Sequence, residues 1–258
     1  MKQQLTIVKV GGAVVEDPAQ LDCLLTGFCR LGGRKALVHG GGRRATLVAS
    51  RLGIESRMVG GRRVTDADML EVVTMVYGGL VNKNIVAQLV ARGVNALGLT
   101  GADMDVMRSR RRPVTADGVD FGFVGDVERA DAERLAALVE QGAVPVLAPL
   151  THDGHGQLLN TNANTIAAEA AKALAASYDV TLAYCFEKPG VLADPDDPRS
   201  VIPSITRPDF ERLCADGTVA GGMVPKIENA LAAVEAGVGR VLITEAAALG
   251  SGGGTLIH

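Results

Sequence analysis

Short apolar runs alternate along the chain with longer segments in which apolar residues recur at helical spacing. The runs that predict buried strands are LTIVKV (5–10), ALVH (36–39), NALGLT (95–100), AVPVLAPL (143–150), DVTLAYCF (179–186) and RVLIT (240–244). Helices are predicted at 18–31, after 42 to about 52, from 66 to about 91, at 131–141, in the Ala-rich segment opened by QLLNTNANT (157–165), at 207–215 and at 223–236. This alternation predicts a mostly parallel open sheet with helices on both faces, a three-layer αβα sandwich.

Two segments interrupt the alternation and predict smaller β structures. ESRMVGGRRVT (55–65) predicts a β-hairpin that turns at Gly60-Gly61. Residues 101–127 predict a hairpin or flap, with FGFVGDV (121–127) as one arm. A basic run within it, RSRRRP, is interpreted first as a solvated loop, with an anion-contacting flap as the alternative.

A change of pattern at about 175–180 predicts the boundary between two lobes. We expect an N-terminal lobe at residues 1–176 and a C-terminal lobe at residues 177–258. No low-complexity linker separates them, so the lobes are expected to share one continuous sheet.

The composition limits the classes of function. Hydrophobic residues make up 47% of the 258 residues and aromatic residues only 3%, so the core must be built from Val, Leu, Ile and Ala. A formal net charge of -3 argues against nucleic acid and anionic membranes as partners. No apolar stretch approaches the roughly 20 residues that span a bilayer, and the four cysteines show no metal-ligand spacing. We therefore expect a cytoplasmic protein with buried, reduced thiols.

Glycine-rich turns follow the first two predicted strands. Lys9 lies near the end of the first strand, before Gly11 and Gly12, and His39 ends the second strand before three glycines. Ligands of parallel α/β sheets bind beyond the carboxyl ends of the strands, and glycines there let backbone N–H groups approach a phosphate. A plain strand-to-helix turn would explain either motif alone, but not both at adjacent strands. Neither turn has P-loop or dinucleotide-fingerprint spacing, and His39 is interpreted as a packed residue.

Two further motifs carry polar groups at predicted helix starts. Asn160, Asn162 and Asn164 alternate before the Ala-rich helix, and N-capping explains one of the three. Lys226 lies just inside a helix after Gly221-Gly222, where a solvated lysine is the simplest interpretation and a ligand contact the alternative.

Taken together and in order, these motifs resemble the amino-acid kinase family, and within it the kinases that act on N-acylated glutamate. The resemblance covers residues 5–257. Its markers are Lys9 with Gly11-Gly12, the HGGG turn, GRRVT around Arg63, FGFVGDV, LNTNA, FEKPGVL and GGMVPK.

The resemblance implies transfer of a phosphoryl group from ATP, carried with Mg²⁺, to the side-chain carboxylate of N-acetyl-L-glutamate, a step of arginine biosynthesis. It implies that the N-terminal lobe binds the acylamino acid and the C-terminal lobe binds ATP. The residues it assigns to catalysis are Lys9, Lys226, Asn164 and Gly12. The residues it assigns to substrate binding are Gly41, Gly42, Arg63 and Asn160, and those it assigns to the nucleotide are Glu187, Lys188, Gly190, Val191, Leu192 and Gly222. No residue is assigned as a metal ligand.

Chemistry agrees with these roles, because a carboxylate is already ionised at pH 7 and needs no general base. The task is to bring two anions together and to stabilise charge on the phosphoryl oxygens, which lysines and glycine N–H groups can do.

The sequence departs from the family pattern at two positions. Asn164 stands where the family has an aspartate that holds the two lysines, and an amide can accept hydrogen bonds from both but cannot neutralise them. Phe186 stands where relatives often have Ser or Thr. Several alternatives therefore stay open. They are N-succinyl-L-glutamate as the substrate, a sibling kinase for aspartate, glutamate, carbamate or a nucleoside monophosphate, and a catalytically impaired ligand-binding paralogue.

Arginine-inhibited relatives carry an extra N-terminal helix that this sequence lacks before Lys9, so we expect an arginine-insensitive homodimer.

Overall fold

The structure, a computed structural model, describes residues 2–250 and 252–258, without the side-chain surroundings of Gly222 and Pro225. The strands are β1 Gln3–Val10, β2 Arg34–His39, β3 Met58–Val59, β4 Arg62–Arg63, β5 Ala96–Leu99, β6 Met107–Arg111, β7 Gly125–Ala130, β8 Val144–Leu147, β9 Leu150–His152, β10 Leu158–Asn160, β11 Tyr178–Phe186, β12 Ser204–Ile205, β13 Arg240–Glu245 and β14 Thr255–Ile257. The α-helices are α1 Gly12–Glu16, α2 Pro18–Arg30, α3 Gly42–Arg51, α4 Ala67–Val73, α5 Asn82–Ala91, α6 Ala132–Glu140, α7 Ala163–Ala175, α8 Arg207–Ala215 and α9 Val224–Glu235.

Eight of these strands form the central sheet, in the order β12-β14-β13-β11-β1-β2-β8-β5. All neighbouring pairs are parallel except β13 with β14. A second sheet of four strands has the order β10-β9-β6-β7, and β3 pairs with β4 as the predicted hairpin. The predicted mostly parallel αβα architecture is confirmed.

The two faces of the central sheet bury different helices. Leu5 and Ile7 of β1 pack in one apolar cluster with residues of α6, α7, α8 and α9. Val8 and Val10, which alternate with them, pack in the other cluster with α1 to α5. Because successive strand residues face opposite sides, Lys9 lies on the α6–α9 side of the sheet, as does its β11 register partner Tyr184.

The predicted helix from 66 to about 91 is continuous but is not α-helical throughout. Asp66 caps α4 by accepting a hydrogen bond from the Met69 N–H, and a π-helical segment, Thr74–Val81, joins α4 to α5. π-Helical turns are rare and recur at functional sites because the wider turn re-aims a side chain. Here the segment carries Tyr77, which lies at the cavity described below.

The interpretation of the basic run as a loop was wrong, because four of its residues form β6, whereas the side chains of Arg110 and Arg111 are exposed to solvent as expected. Each arginine of the run pairs with an acid: Arg108 with Asp105 at 2.8 Å, Arg110 with Glu128 at 3.9 Å, Arg111 with Asp120 at 3.0 Å and Arg112 with Asp126. Two of these acids, Asp126 and Glu128, lie on the antiparallel neighbour β7. The run is therefore a charge-paired strand of the smaller sheet.

Within the described residues, no helix is both long enough and apolar enough to cross a bilayer.

Candidate active site

The two glycine turns lie against each other at the carboxyl edge of the central sheet. Val10 pairs with His39 of β2 and with Cys185 of β11, so three strands end side by side. A Cβ on Gly40 would lie 3.1 Å from the Gly12 nitrogen, which shows how closely the two backbones approach. No side chain caps α3 at Gly41, so the first N–H groups of this helix are available to an anion.

A cavity of about 210 Å³ opens in front of these turns. Its wall contains six of the residues that the sequence assigned to the site, namely Lys9, Gly41, Gly42, Arg63, Asn160 and Asn164. A second, much smaller cavity of about 20 Å³ lies alongside and is lined by Lys226, Asn164, Tyr184, Phe186, Asn229 and Ile243. Asn164 borders both cavities, so it lies between the cavity lined by Lys9 and the cavity lined by Lys226.

The two lysines meet at the ring of Phe186. The Nζ atom of Lys9 lies 5.0 Å from the ring centroid, and that of Lys226 lies 4.3 Å from it. Burial, together with the nearby charge of Lys226, lowers the pKa of Lys9 from 10.5 to about 8. An amide at position 164 could accept hydrogen bonds from both lysines, but in this structure Asn164 accepts one from neither. Its Oδ1 atom is buried and has no hydrogen-bond partner in the described part of the chain.

Arg63 lies in the cavity wall with its guanidinium already oriented. Its Nη2 atom donates to the Gly42 carbonyl and to the Thr46 hydroxyl, both at 2.8 Å, and its Nη1 atom donates to the Ser56 hydroxyl. Asn160 is joined to this group through Thr65, whose hydroxyl accepts from the Asn160 amide at 2.9 Å. The side chain of Arg63 is thus fixed before a carboxylate arrives, but a carboxylate must compete with these acceptors.

Tyr77 is a cavity residue that the sequence did not reveal. The π-helical segment brings its ring so close to the glycine turn that a Cβ on Gly41 would lie 3.0 Å from Cδ1. Burial raises the pKa of Tyr77, and the Arg63 guanidinium beside its hydroxyl partly offsets that rise. Arg62 also lines the cavity. A tyrosine within a helix-period pattern is ordinarily a core residue, so only the three-dimensional structure exposes this contact.

The residues of the predicted nucleotide segment after β11 differ in their exposure to solvent. Glu187 pairs with Arg43 at 3.5 Å and Lys188 donates to the Pro195 carbonyl, and both side chains are exposed. Val191 and Leu192 are buried, and a Cβ on Gly190 would come within 2.8 Å of Thr255 and Val201. Any contact of Gly190, Val191 or Leu192 with a ligand would therefore involve the backbone. Gly222 belongs to the 3₁₀ turn Gly221–Met223, but its surroundings fall outside the described residues.

His39 is a packed residue, as predicted. It is fully buried, its Nδ1–H donates to the Gly40 carbonyl at 2.8 Å, and its Nε2 accepts from the Asn82 amide at 3.1 Å. Burial lowers its pKa to about 4, so the ring is neutral at pH 7. His39 therefore braces the glycine turn and is not positioned as a base.

Two lysines, two adjoining glycine turns and an arginine, gathered at two adjoining cavities, define a site for bringing anionic groups together, as phosphotransferases do. The chain belongs to the amino acid kinase family, whose pattern its residues 4–245 match.

Among curated relatives, the chain is 63% identical to an acetylglutamate kinase of Bacteroides thetaiotaomicron, over all of this chain and 99% of that protein. It is 44% identical to an acetylglutamate kinase of Methanopyrus kandleri, over 98% of this chain and all of that protein.

Solved structures show the same fold. The N-acetylglutamate synthase of Neisseria gonorrhoeae, in complex with coenzyme A and N-acetyl-glutamate, superposes with a TM-score of 0.82 at 24% identity, over 98% of this chain and 59% of that one. The carbamate kinase of Giardia lamblia bound to AMP-PNP superposes with a TM-score of 0.66 at 14% identity, over 99% of this chain and 98% of that one.

Proposed function

We infer that the protein is an acetylglutamate kinase, which transfers the γ-phosphoryl group of ATP to the side-chain carboxylate of N-acetyl-L-glutamate in arginine biosynthesis. The observation that carries this conclusion is the cavity whose wall joins Lys9 and the Gly41-Gly42 turn to Arg63 and Asn160. The full-length identity to acetylglutamate kinases supports the same substrate.

The reaction is a direct transfer. One oxygen of the side-chain carboxylate attacks the γ-phosphorus of ATP and forms the new O–P bond. The bond from the γ-phosphorus to the bridging oxygen breaks, and ADP leaves with that electron pair. No proton has to be removed, because the attacking carboxylate is already ionised. The chain's part is to orient the two anions and stabilise the charge on the phosphoryl oxygens.

We assign this work to the predicted catalytic residues. Lys9 and Lys226 contact the transferred group with their ammonium groups, and Gly12 offers its backbone N–H. Asn164 borders both the cavity lined by Lys9 and the cavity lined by Lys226. Each donor of this kind typically lowers a barrier by about 3–4 kcal/mol.

Substrate and nucleotide occupy different sides of these lysines in our proposal. Gly41 and Gly42 meet the attacked carboxylate, and Arg63 and Asn160 hold the α-carboxylate and the acylamino end. ATP lies toward the C-terminal lobe, beside the segment from Glu187 to Leu192 and the turn that contains Gly222.

Magnesium enters with ATP. The residues that the structure describes contain no group of three or more His, Cys, Asp or Glu side chains able to hold a metal ion. Mg²⁺ in kinases is held largely by the substrate phosphates, and it would supply further positive charge to the γ-phosphoryl oxygens.

The proposed partner in assembly is a second copy of the chain. Met75, Leu80 and Val90 are 54%, 40% and 55% exposed along the helix that precedes β5, and Leu97 of β5 is 39% exposed. Since β5 is an edge strand of the central sheet, pairing of two such edges would cover these side chains. We propose a cytoplasmic homodimer, which also agrees with four free cysteines.

Steady-state ADP release with a panel of acids tests the proposed activity. The panel contains N-acetyl-L-glutamate, N-succinyl-L-glutamate, L-glutamate, L-aspartate, carbamate and a nucleoside monophosphate. We expect the highest kcat/KM for N-acetyl-L-glutamate, at least about 100-fold above free glutamate, because free glutamate lacks the acyl group and would bring a charged ammonium to the end of the site that we assign to the acylamino group. A higher value for another acid would reassign the substrate, and binding of acid and ATP without ADP release would favour the ligand-binding alternative.

A further inference from the structure

Phe186 ends β11 at the carboxyl edge of the sheet, on the same side as Lys9. The register pairs Lys9 with Tyr184, and Phe186 lies two residues beyond Tyr184 and therefore on the same face. Lys226 reaches this face from the start of α9. The pleat of two neighbouring strands and the start of one helix thus bring both lysines to a single aromatic ring.

That ring is the one attractive partner that the two ammonium groups share in the described part of the chain. Neither Nζ atom makes a hydrogen bond or an ion pair there, whereas both lie over the Phe186 ring, at 5.0 Å for Lys9 and 4.3 Å for Lys226. Lys9 is only 7% exposed, so water can do little to replace a missing partner. Two buried oxygens nearby, Oδ1 of Asn164 and the Tyr184 hydroxyl, have no hydrogen-bond partner among the described residues.

We propose that Phe186 is a positioning residue for phosphoryl transfer, whose ring holds the ammonium groups of Lys9 and Lys226 side by side before ATP binds. The proposal rests on the kinase function inferred above. The face of an aromatic ring carries negative potential and attracts cations, most strongly where water is excluded. One ring can therefore draw in two ammonium groups that repel each other, and it leaves their full charge for the phosphoryl oxygens.

The ring is itself held in place. Tyr184 stacks on Phe186 with 6.0 Å between ring centroids and an interplanar angle of 13°. A Cβ on Gly11 would lie 4.0 Å from Cδ1 of Phe186, so the ring also rests against the first glycine turn. A fixed ring gives the lysines a fixed place, which is what a positioning residue must do.

Progressive fluorination of this ring separates its electrostatic role from its shape. The protein is prepared with phenylalanine, 4-fluorophenylalanine or 3,4,5-trifluorophenylalanine at position 186, together with Phe186→Tyr and Phe186→Leu. Fluorine withdraws negative potential from the ring face with little change in size. We expect kcat for N-acetyl-L-glutamate to fall stepwise, by about fivefold to tenfold at the trifluoro ring, with KM values within about twofold. Phe186→Tyr should retain most of the rate, and Phe186→Leu should match the trifluoro protein. Equal kcat across the fluorinated series would overturn the proposal.

A second measurement does not depend on turnover. In ligand-free protein labelled with ¹³C at the lysine ε-carbons, the Lys9 signal is assigned by its absence from Lys9→Arg and followed through a pH titration. Lys226 and the Cys185 thiol face Lys9, and neither is changed by fluorination. Because the ring favours the charged ammonium, the trifluoro ring should lower the midpoint of the Lys9 titration. An unchanged midpoint would refute the contact, whereas a lowered midpoint in a protein without kinase activity would retain the contact and reject the proposed function.

Discussion

Restoring a carboxylate at position 164 is the perturbation that the site geometry makes most informative. Asn164 borders both cavities, and its buried Oδ1 accepts no hydrogen bond among the described residues. In Asn164→Asp, a carboxylate would lie near Lys9 and Lys226 and could accept a charge-assisted hydrogen bond from either. We expect a higher kcat with little change in the KM for N-acetyl-L-glutamate, because the gain lies in the order of the lysines.

The size of the effect can be worked from Lys9. The fall of its pKa from 10.5 to about 8 corresponds to about 3 kcal/mol against the charged form. A charge-assisted hydrogen bond contributes about 1.5–3 kcal/mol, so the new carboxylate offsets half or more of that penalty. If half of the offset appears in the transition state, kcat rises on the order of tenfold, or about 1.4 kcal/mol. The advantage should grow above pH 8, because the parent loses the Lys9 proton there and the variant keeps it.

The assay is paired ADP release at saturating Mg-ATP from pH 6.5 to 9.5. Asn162→Asp is the matched control, since Asn162 is exposed, caps α7 through its side chain, and can be replaced by Asp without loss of the cap. A control variant that is as fast as Asn164→Asp would show a general effect of charge. If the parent turns over well and Asn164→Asp is no faster at any pH, the idea that the lysines lack an organiser is refuted. If both proteins bind both ligands and neither turns over, the ligand-binding alternative gains.

Three further substitutions test other parts of the site. Lys226→Ala should lower kcat by roughly 100-fold with an unchanged circular dichroism spectrum, and an unchanged kcat would remove Lys226 from the transfer step. Arg63→Lys should raise the KM for the acylamino acid much more than that for ATP, because an ammonium cannot reproduce the planar contact with a carboxylate; equal effects would contradict the assignment. Lys9→Met should abolish turnover yet raise the free energy of unfolding at pH 7 by up to about 3 kcal/mol, since folding holds a charged Lys9 at a pKa of about 8. In guanidinium unfolding, the difference in the free energy of unfolding between Lys9→Met and the parent should shrink from pH 8 to pH 10, because the folded parent has lost there the Lys9 proton that the unfolded chain still holds. A difference that stays constant with pH would contradict this coupling between the Lys9 proton and folding.

The layered fold and the glycine turns could be predicted because local patterns determine them. Buried parallel strands leave apolar runs, and glycines directly after β1 and β2 mark the edge where ligands bind. Parallel pairing then brings the ends of these strands together, so Lys9 and Gly41 could be placed near one another before the structure was known.

The contacts missed by sequence reasoning depend on partners that are distant in sequence or on a change of helix type. The segment that carries Tyr77 has the same apolar spacing whether its turns are α-helical or π-helical, so its ring could not be placed at Gly41. From the sequence, Phe186 was interpreted only as a replacement of Ser or Thr that removes a hydroxyl. Nothing in the neighbouring sequence shows that Lys226, 40 residues later, contacts the Phe186 ring together with Lys9. The basic run looked like a loop, because the antiparallel pairing with β7 that makes it a strand forms only in the folded chain.

Detection of the acyl phosphate by ³¹P NMR tests the central claim most directly. The protein is incubated with Mg-ATP and either N-acetyl-L-glutamate or N-acetyl-L-glutamine, which lacks only the side-chain carboxylate. We predict an acyl phosphate resonance, formed together with ADP, in the glutamate reaction and its absence from the glutamine reaction, with hydroxylamine converting the product to a hydroxamate. Loss of the ATP γ-phosphate to free phosphate alone, or no loss of ATP with either compound, would contradict the assignment of this site to phosphoryl transfer onto a carboxylate.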